Sequence, residues 1–237
     1  YHSPVDVEFA ISLKPDVGLQ PKLGITMLQC RPQSYLDDSE LTKIPTNLSP
    51  HEVIFSSDFM VPRGKVTKIN YVVYVKAKEY FALKSNQERN ELARTVGKLN
   101  EALANERFIC VGPGRWGSSN ADLGVPIAYG DIYHAKALVE LTGEHYGLPP
   151  EPSLGTHFFQ DLLEAQIYPL ALQLDDPKTD FNQDFFENMP NHLQEWVAAD
   201  EIYEKSLCLL AIGDYAPGRC LSIIMNDDIG KVLAYIT

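Results

Sequence analysis

Residues 107–120 read RFICVGPGRWGSSN, a short apolar run followed by a glycine-rich loop. Gly112, Gly114 and Gly117 have the G-x-G-x-x-G spacing of dinucleotide-binding folds, in which the glycines must open a helix. The residues that follow, SSNADLGVPIA, contain a glycine and a proline, which exclude a helix of useful length. A P-loop needs a Lys-Ser or Lys-Thr pair after its last glycine, and no lysine follows Gly117. The stretch therefore excludes both nucleotide-binding folds.

The same loop carries groups that suit a small anion. Backbone N–H groups beside a glycine such as Gly114 can form an anion-binding concavity. Arg115 is a bidentate donor, Ser118 and Ser119 would add hydroxyl groups, and Trp116 would form a wall. The other interpretation is a rigid connector with Trp116 in the core and Arg115 in an ion pair, because glycine loops commonly serve turn geometry.

The order of elements around the loop predicts an α+β fold with mainly antiparallel sheet and several helices. Strands are predicted at 5–11, 23–30, 52–61, 68–77, 107–111, 166–174 and 206–213, with a hairpin at 220–236. Helices are predicted at 86–105, 131–141, 156–165 and near 190–198. The clearest helix is the first, where Ser85 and Glu88 have capping-box spacing. Its apolar stripe is Leu92, Val96, Leu99 and Leu103.

Composition limits the classes of protein to which the chain can belong. With 237 residues, 45% apolar and 22% charged, it can bury a sizeable core. The net charge of −12 arises entirely in residues 144–237, which hold 16 acids and 4 bases and would repel nucleic acid. No apolar run approaches the length of about 20 residues that a membrane helix needs. The four cysteines form no C-x-x-C pair, which indicates a reducing cytoplasm.

The start of the chain indicates that part of a longer protein precedes it. Residue 1 is Tyr, strand-like sequence begins within four residues, and residues 31–50 look irregular, with three prolines. We therefore expect a C-terminal piece whose domain boundary lies in this irregular segment.

The first two predicted strands carry three polar residues of chemical interest. Glu8 lies within the first strand, and Gln29 and Arg31 lie at the end of the second. A hairpin would bring them to one side, where carboxylate and amide oxygens suit Mg²⁺ and an arginine suits phosphate. An ordinary edge hairpin with alternating polar residues is the other interpretation.

The sequence VDVEFA followed by MLQCRPQ resembles the end of the ATP-grasp nucleotide-binding domain in the phosphoenolpyruvate synthase and pyruvate phosphate dikinase family. The resemblance implies that Glu8 and Gln29 hold Mg²⁺ and that Gln29 and Arg31 contact the phosphates of ATP. It also implies that residues 1–36 are the C-terminal hairpin of an incomplete ATP-grasp domain. Residues 37–237 would then be an accessory α+β domain of unknown role.

The remainder, including GPGRWGSSNADLGVP and PSLGTHFFQDL, is similar to a less studied branch of that family. The resemblance implies an ATP-dependent phosphotransferase whose partners are a nucleotide, a small acid such as pyruvate or phosphoenolpyruvate, and the N-terminal remainder of the chain. The phosphohistidine motif of the well-studied enzymes is missing, and the glycines and small residues expected around it do not accompany His157. We expect these 237 residues to be inactive alone.

Two further hypotheses remain. Residues 50–237 would be a regulatory module that binds a small anion through the Gly112–Ser119 loop together with Thr156 and His157, the latter at a helix N-terminus. A lone histidine packed beside Phe158 is the simpler interpretation of His157. Alternatively the acidic second half is a scaffold for domain contacts or oligomerisation.

Overall fold

The computed structural model describes residues 5–14, 22–32, 43–144, 147–148, 151–153 and 156–237. The chain divides into two compact units, Tyr1–Tyr35 and Leu36–Thr237. This division falls one residue from the boundary expected at residue 36.

The first unit is an antiparallel hairpin of β1 (Val5–Lys14) and β2 (Lys22–Pro32). The two predicted strands are thus confirmed, and each is longer than expected. The segment SLKPDVGLQPK, residues 12–22, was expected to be the hairpin loop, and its residues 15–21 lie outside the described residues. The pairing register shifts between Glu8 and Phe9, which pair with Gln29 and Met27, so Leu28 is an extra residue that marks a bulge in β2.

The second unit contains ten strands and seven α-helices in the part of the chain that the structure describes. The strands are β3 (Val53–Ser57), β4 (Gly64–Ile69), β5 (Tyr71–Val75), β6 (Phe108–Pro113), β7 (Ala137–Thr142), β8 (Tyr168–Gln173), β9 (Asp180–Phe181), β10 (Leu207–Ala211), β11 (Leu221–Asn226) and β12 (Lys231–Ile236). The helices are α1 (Ala77–Phe81), α2 (Asn86–Ala102), α3 (His157–Glu164), α4 (Gln183–Asn188), α5 (Leu193–Trp196), α6 (Glu201–Ser206) and α7 (Ile212–Tyr215). Short 3₁₀ turns occur at Pro50–Glu52 and Tyr129–Asp131.

These strands form two five-stranded sheets. One is mixed, in the order β10-β5-β6-β7-β8, with β5 to β8 parallel and β10 antiparallel at one edge. The other is antiparallel, in the order β4-β11-β12-β3-β9. Antiparallel pairs outnumber parallel ones, so the predicted α+β class is confirmed.

The mixed sheet is buried on both faces. One face packs against the antiparallel sheet, so that Val72 and Val139 share a core with Ile223. The other face packs against α2, so that Val73 shares a second core with Leu92. Alternate residues of one strand thus enter different cores, which is why these strands read as continuous apolar runs.

The longest helix, α2, forms as its sequence predicts. The Ser85 hydroxyl accepts a hydrogen bond from the Glu88 backbone N–H at 3.2 Å, and the Glu88 carboxylate accepts one from the Lys84 backbone. The predicted stripe of Leu92, Val96, Leu99 and Leu103 is fully buried.

Two predictions of secondary structure were wrong. Residues 131–141 were expected to be a helix, but residues 137–142 form β7, an interior strand of the mixed sheet in which every residue is buried. Residues 68–77 were expected to be one strand with Ile69 and Val73 on one face. The strand instead breaks at Asn70, so that β4 and β5 lie in different sheets and these two residues enter different cores.

The remaining predictions hold with small changes of boundary. Strands β3, β6, β8 and β10, helix α3 and the β11–β12 hairpin are confirmed. The helix expected near 190–198 is only the single turn α5, and Pro190 precedes it.

Candidate functional site

The hairpin brings its polar residues to one face. In the register of the pair, Glu8 is opposite Gln29 and Asp6 is opposite Arg31. Because alternate residues of a strand share a face, all four positions belong to the same face of the hairpin. Asp6 was not singled out in the sequence, although its spacing of two from Glu8 would have identified it. The Glu8 side chain is exposed, so its carboxylate is available to a ligand.

The opposite face of the hairpin is apolar. Phe9 is opposite Met27, and Ile11 is opposite Ile25. These side chains are between 55% and 64% exposed. An isolated two-stranded hairpin is marginally stable in water unless its apolar face packs on something. The hairpin is therefore strongly amphipathic, with Asp6, Glu8, Gln29 and Arg31 at positions of one face.

The glycine loop, in contrast, uses its backbone donors internally. The N–H groups of Gly114, Arg115 and Gly117 donate to the carbonyl oxygens of Leu141, Leu123 and Val125, at 2.8, 2.7 and 3.0 Å. The N–H of Trp116 donates to Glu140 Oε1 at 2.8 Å. The four donors that would form an anion-binding concavity are therefore already bonded.

The side chains of this loop are engaged as well. Trp116 is 1% exposed and belongs to the core beneath α2. Arg115 forms an ion pair with Glu151 through Nη2, and its Nε donates to the Glu151 carbonyl oxygen at 3.2 Å. A buried Trp116 and an ion-paired Arg115 are the features expected if the loop is a rigid connector.

Glycine is required here by space. A Cβ on Gly124 would lie 2.3 Å from the carbonyl oxygen of Arg115, and one on Gly112 would lie 2.6 Å from the Trp116 ring. Gly117 has φ +74°, and the Phe158 ring packs where its Cβ would stand. The glycines let two segments of backbone and an indole ring approach closely.

Glu140, on β7, holds this loop from beneath. Its side chain is fully buried, and its carboxylate accepts bonds from the Trp116 N–H, the Ser153 N–H at 2.6 Å and the Ser153 hydroxyl at 2.7 Å. Burial raises the pKa of Glu140 to about 7, although the bonds from Ser153 and Trp116 oppose the shift. Glu140 was not among the predicted site residues, because it lay in a predicted helix. A lone carboxylate within the apolar run ALVELT was the available signal.

The other residues proposed for the anion site lie beside the loop. The Thr156 hydroxyl donates to the Ser153 carbonyl oxygen at 2.7 Å and accepts the Phe159 N–H at 3.4 Å, which caps α3. The Ser118 hydroxyl accepts the Asn120 N–H at 3.1 Å. Ser119 and His157 are exposed. The structure thus brings the loop and the start of α3 together, chiefly through packing and capping contacts.

A cavity of about 670 Å³ opens at the carboxyl ends of the parallel strands. Leu141 and Phe181 contribute apolar wall, and a polar cluster stands at one end. In that cluster the Tyr74 hydroxyl donates to Glu187 at 2.9 Å, and Lys76 forms an ion pair with Glu187 at 3.2 Å. The carboxyl edge of such a sheet is where α/β folds commonly bind ligands.

Comparison of the chain with protein-family models, curated proteins and solved structures finds no match. Among the described residues, no group of three or more His, Cys, Asp or Glu side chains could hold a metal ion. In the same residues, no helix is both long and apolar enough to cross a bilayer. The geometry and the motif resemblance are therefore what a functional proposal must use.

Proposed function

We propose that the β1–β2 hairpin supplies the metal- and phosphate-binding strand pair of an ATP-dependent phosphotransferase similar to phosphoenolpyruvate synthase. The observation that carries the proposal is the pairing register, which sets Glu8 opposite Gln29 and Asp6 opposite Arg31. The motif resemblance, D-V-E-F followed by L-Q-C-R-P, supports the same residues independently of the register.

The residues fit the ion that the proposal requires. Mg²⁺ is commonly held by one or two carboxylate or amide oxygens together with substrate phosphates and water, so Glu8 and Gln29 would suffice as protein ligands. Arg31 would contact phosphate oxygens. Mg²⁺ bound there supplies charge neutralisation to the phosphoryl group that is transferred.

The proposal assigns these 237 residues only part of an active site. The adenine pocket and glycine-rich lid would lie in another part of the protein, and a small acid such as pyruvate is the proposed acceptor class. The four cysteines are free, which supports a reducing cytoplasmic compartment for the protein.

The test is isothermal titration of Mg–ATP into the protein at its full natural length. We expect binding by the wild type and at least about a tenfold weaker Kd in Arg31→Ala, because a charged partner of phosphate is worth more than about 1.4 kcal/mol. Arg94→Ala removes an exposed arginine on α2 and serves as the control. An absence of binding by the wild type would overturn the proposal.

A second experiment tests whether these 237 residues contain only part of the nucleotide site. The 237-residue chain by itself is expected to show no ATP hydrolysis above the rate of a protein-free blank. Turnover that depends on Glu8 would contradict the proposal that the rest of the nucleotide site lies elsewhere.

The alternative function, a module that binds a small anion at the Gly112–Ser119 loop, has less support. The loop's backbone donors from Gly114 to Gly117 are bonded internally. Ser119 and His157 remain exposed. If this function held, Ser119→Ala combined with His157→Ala would weaken phosphate binding by the 237-residue chain.

A further inference from the structure

A second cleft in the Leu36–Thr237 unit is positively charged, whereas the chain as a whole is acidic. It encloses about 310 Å³ at the amino ends of the parallel strands β6, β7 and β8. Three cationic residues line it, Lys65, Arg107 and Lys136. No carboxylate is found among the described residues that line it, although the chain has 32 acids against 20 bases.

The fold fixes the backbone of these cationic residues close together. Arg107 and Lys136 immediately precede the adjacent parallel strands β6 and β7. The Lys136 N–H donates to the Phe108 carbonyl oxygen at 2.9 Å, and the Lys136 carbonyl oxygen accepts the Tyr168 N–H at 3.1 Å. Neighbouring strands lie about 4.8 Å apart, so the two bases stand side by side.

Arg107 is positioned for a ligand. Its Nε donates to the Thr67 carbonyl oxygen on β4 at 2.8 Å, which anchors the guanidinium group. The anchoring bond leaves the two Nη groups for a further acceptor, in the fork geometry that matches phosphate oxygens. Lys65, two residues earlier on β4, brings the third charge from the other sheet.

The charges of the cleft lack partners within the described part of the chain. None of the three cationic residues forms an ion pair with a carboxylate there, whereas Lys76 and Lys178 do. At the rim of the cleft, the Tyr133 hydroxyl donates to the Glu101 carboxylate at 2.8 Å. Three like charges around one concavity create a local positive potential that favours an anion.

We propose that this cleft binds the phosphate group of a small phosphomonoester. The anchored guanidinium of Arg107 accounts for a preference for phosphate, and the two lysines provide the charge for a dianion. The volume leaves space beside the phosphate for a few carbon atoms, next to Tyr133 and Gln166. The site is independent of Mg²⁺ and of the hairpin.

The test is calorimetric titration of the 237-residue chain at a constant ionic strength of about 0.15 M, where charges more than about 8 Å apart are screened. It is done without Mg²⁺ and in an Arg31→Ala background that removes the hairpin's proposed phosphate contact. The probes are inorganic phosphate and glycerol 3-phosphate. We expect saturable one-to-one binding of both. The double variant Lys65→Gln/Lys136→Gln should weaken the Kd at least tenfold.

The matched control is Lys84→Gln/Lys231→Gln, which removes the same charge from two exposed lysines away from the cleft. It should leave the Kd within about twofold, because screened distant charges contribute little. Equal weakening by both double variants would show only a general charge effect and would overturn the proposal. Absence of saturable binding, or binding of inorganic phosphate without glycerol 3-phosphate, would overturn it too.

A structural role for the bases gives a different result. Ala165 and Gln166 line the cleft just after α3, where cations can stabilise the last helical carbonyl groups. In that case Lys65→Gln/Lys136→Gln would lower the free energy of unfolding without anion, and added phosphate would not raise the wild-type Tm. That pair of outcomes would also contradict the proposal.

Discussion

The glycine loop and the hairpin use their polar groups in opposite ways. In the loop, four successive backbone N–H groups from Gly114 to Gly117 donate to internal acceptors, and Trp116 is buried. In the hairpin, the backbones of β1 and β2 pair with each other and the Glu8 side chain is exposed. The glycine-rich loop thus contributes to packing of the core, although its composition suggested an anion site. The alternating sequence of the hairpin instead leaves the Glu8 carboxylate exposed to solvent.

The difference separates two kinds of consequence for substitutions. A change in the loop disturbs bonds and contacts that hold the mixed sheet, so it should cost stability. A change on the polar face of the hairpin removes no described contact of the core, so it should cost binding alone. Three measurements, on Gly124, Glu140 and Glu8, test this separation, and a fourth on the surface residue His192 gives a scale for comparison.

The largest effect is expected for Gly124→Ala. The added Cβ would lie 2.3 to 2.5 Å from backbone atoms of Arg115, which cannot move as a flexible side chain would. Overpacking against fixed atoms typically costs 1–3 kcal/mol, and this contact is closer than usual. We expect a loss of more than about 3 kcal/mol in the free energy of unfolding, measured by urea denaturation.

Gly130→Ala is the control, since a Cβ there meets nothing within 4 Å. Its effect should stay within about 0.5 kcal/mol. If both alanine variants were equally stable, the loop would be loose enough to rearrange. Its donors could then serve a ligand after all.

The second measurement concerns Glu140, whose carboxylate anchors the loop. Its pKa is raised from 4.5 to about 7 by burial. The folded state therefore binds more protons than the unfolded state between these values, so stability falls as pH rises from 4.5 to 7. The shift corresponds to about 3 kcal/mol in the free energy of unfolding over that window.

Glu140→Gln should remove this pH dependence, because the amide does not titrate. The comparison is the slope of unfolding free energy against pH, since the amide also costs one bond to Ser153 at every pH. If the free energy of unfolding had the same pH slope in the wild type and the variant, the Glu140 carboxylate would be in contact with water. The loop would then cover this carboxylate less completely than its contacts indicate.

The elements that sequence predicted correctly are those with a local cause. Helix α2 combines a Ser85 cap with a stripe of leucines, and α3 has Thr156 at its start. The C-terminal hairpin has alternating strands around a turn. Each of these is specified by residues within a few positions of one another, which is why the α+β class could be predicted.

The errors arise where tertiary contacts decide. Strand β7 is buried on both faces, so its apolar run has no period of two, and Glu140 within it mimics a helical pattern. The break at Asn70 has a similar origin, because the chain changes sheets there without glycine or proline. The parallel order of β6 and β7 was hidden as well, since only a 3₁₀ turn lies in the connection between them.

The candidate site shows the same division between residues that a local motif identifies and residues whose role depends on tertiary contacts. Glu8, Gln29 and Arg31 followed from a local motif, and their register agrees with one shared face. The partners of Glu140 and the composition of the basic cleft could not be predicted, because these residues lie 13 to 24 positions away or on another sheet.

A smaller effect is expected at His192, a surface residue whose role is structural. Its ring nitrogens contact Asp214 at 2.6 Å and Glu195 at 2.7 Å, and these bonds raise its pKa above 6.5. Its stabilising contribution is therefore complete below pH 6.5 and is lost as pH rises through the raised value. His192→Gln should cost about 1 kcal/mol at pH 6 and less at pH 9.

His157→Gln, which changes an exposed histidine at the start of α3, is the control for that measurement. Because the side chain is exposed, the free energy of unfolding should change by less than about 0.5 kcal/mol. An equal loss at pH 6 and pH 9 in His192→Gln would mean that the imidazole acts through packing and not through its charge.

The smallest effect on stability, and the one that most sharpens the comparison, is expected for Glu8→Ala. Glu8 is exposed on the polar face of the hairpin, and its removal leaves no buried group unpaired. The free energy of unfolding should change by less than about 0.5 kcal/mol. Binding of Mg–ATP by the full-length protein should nevertheless weaken in the same variant, because the proposed function makes Glu8 a ligand of Mg²⁺. Ser12→Ala, on the same face and strand, is the control that should change neither quantity.

Loss of stability in Glu8→Ala without loss of binding would reverse the roles of the two regions, since the hairpin would then be structural. Loss of binding without loss of stability would agree with a ligand-binding role for the hairpin and a structural role for the glycine loop.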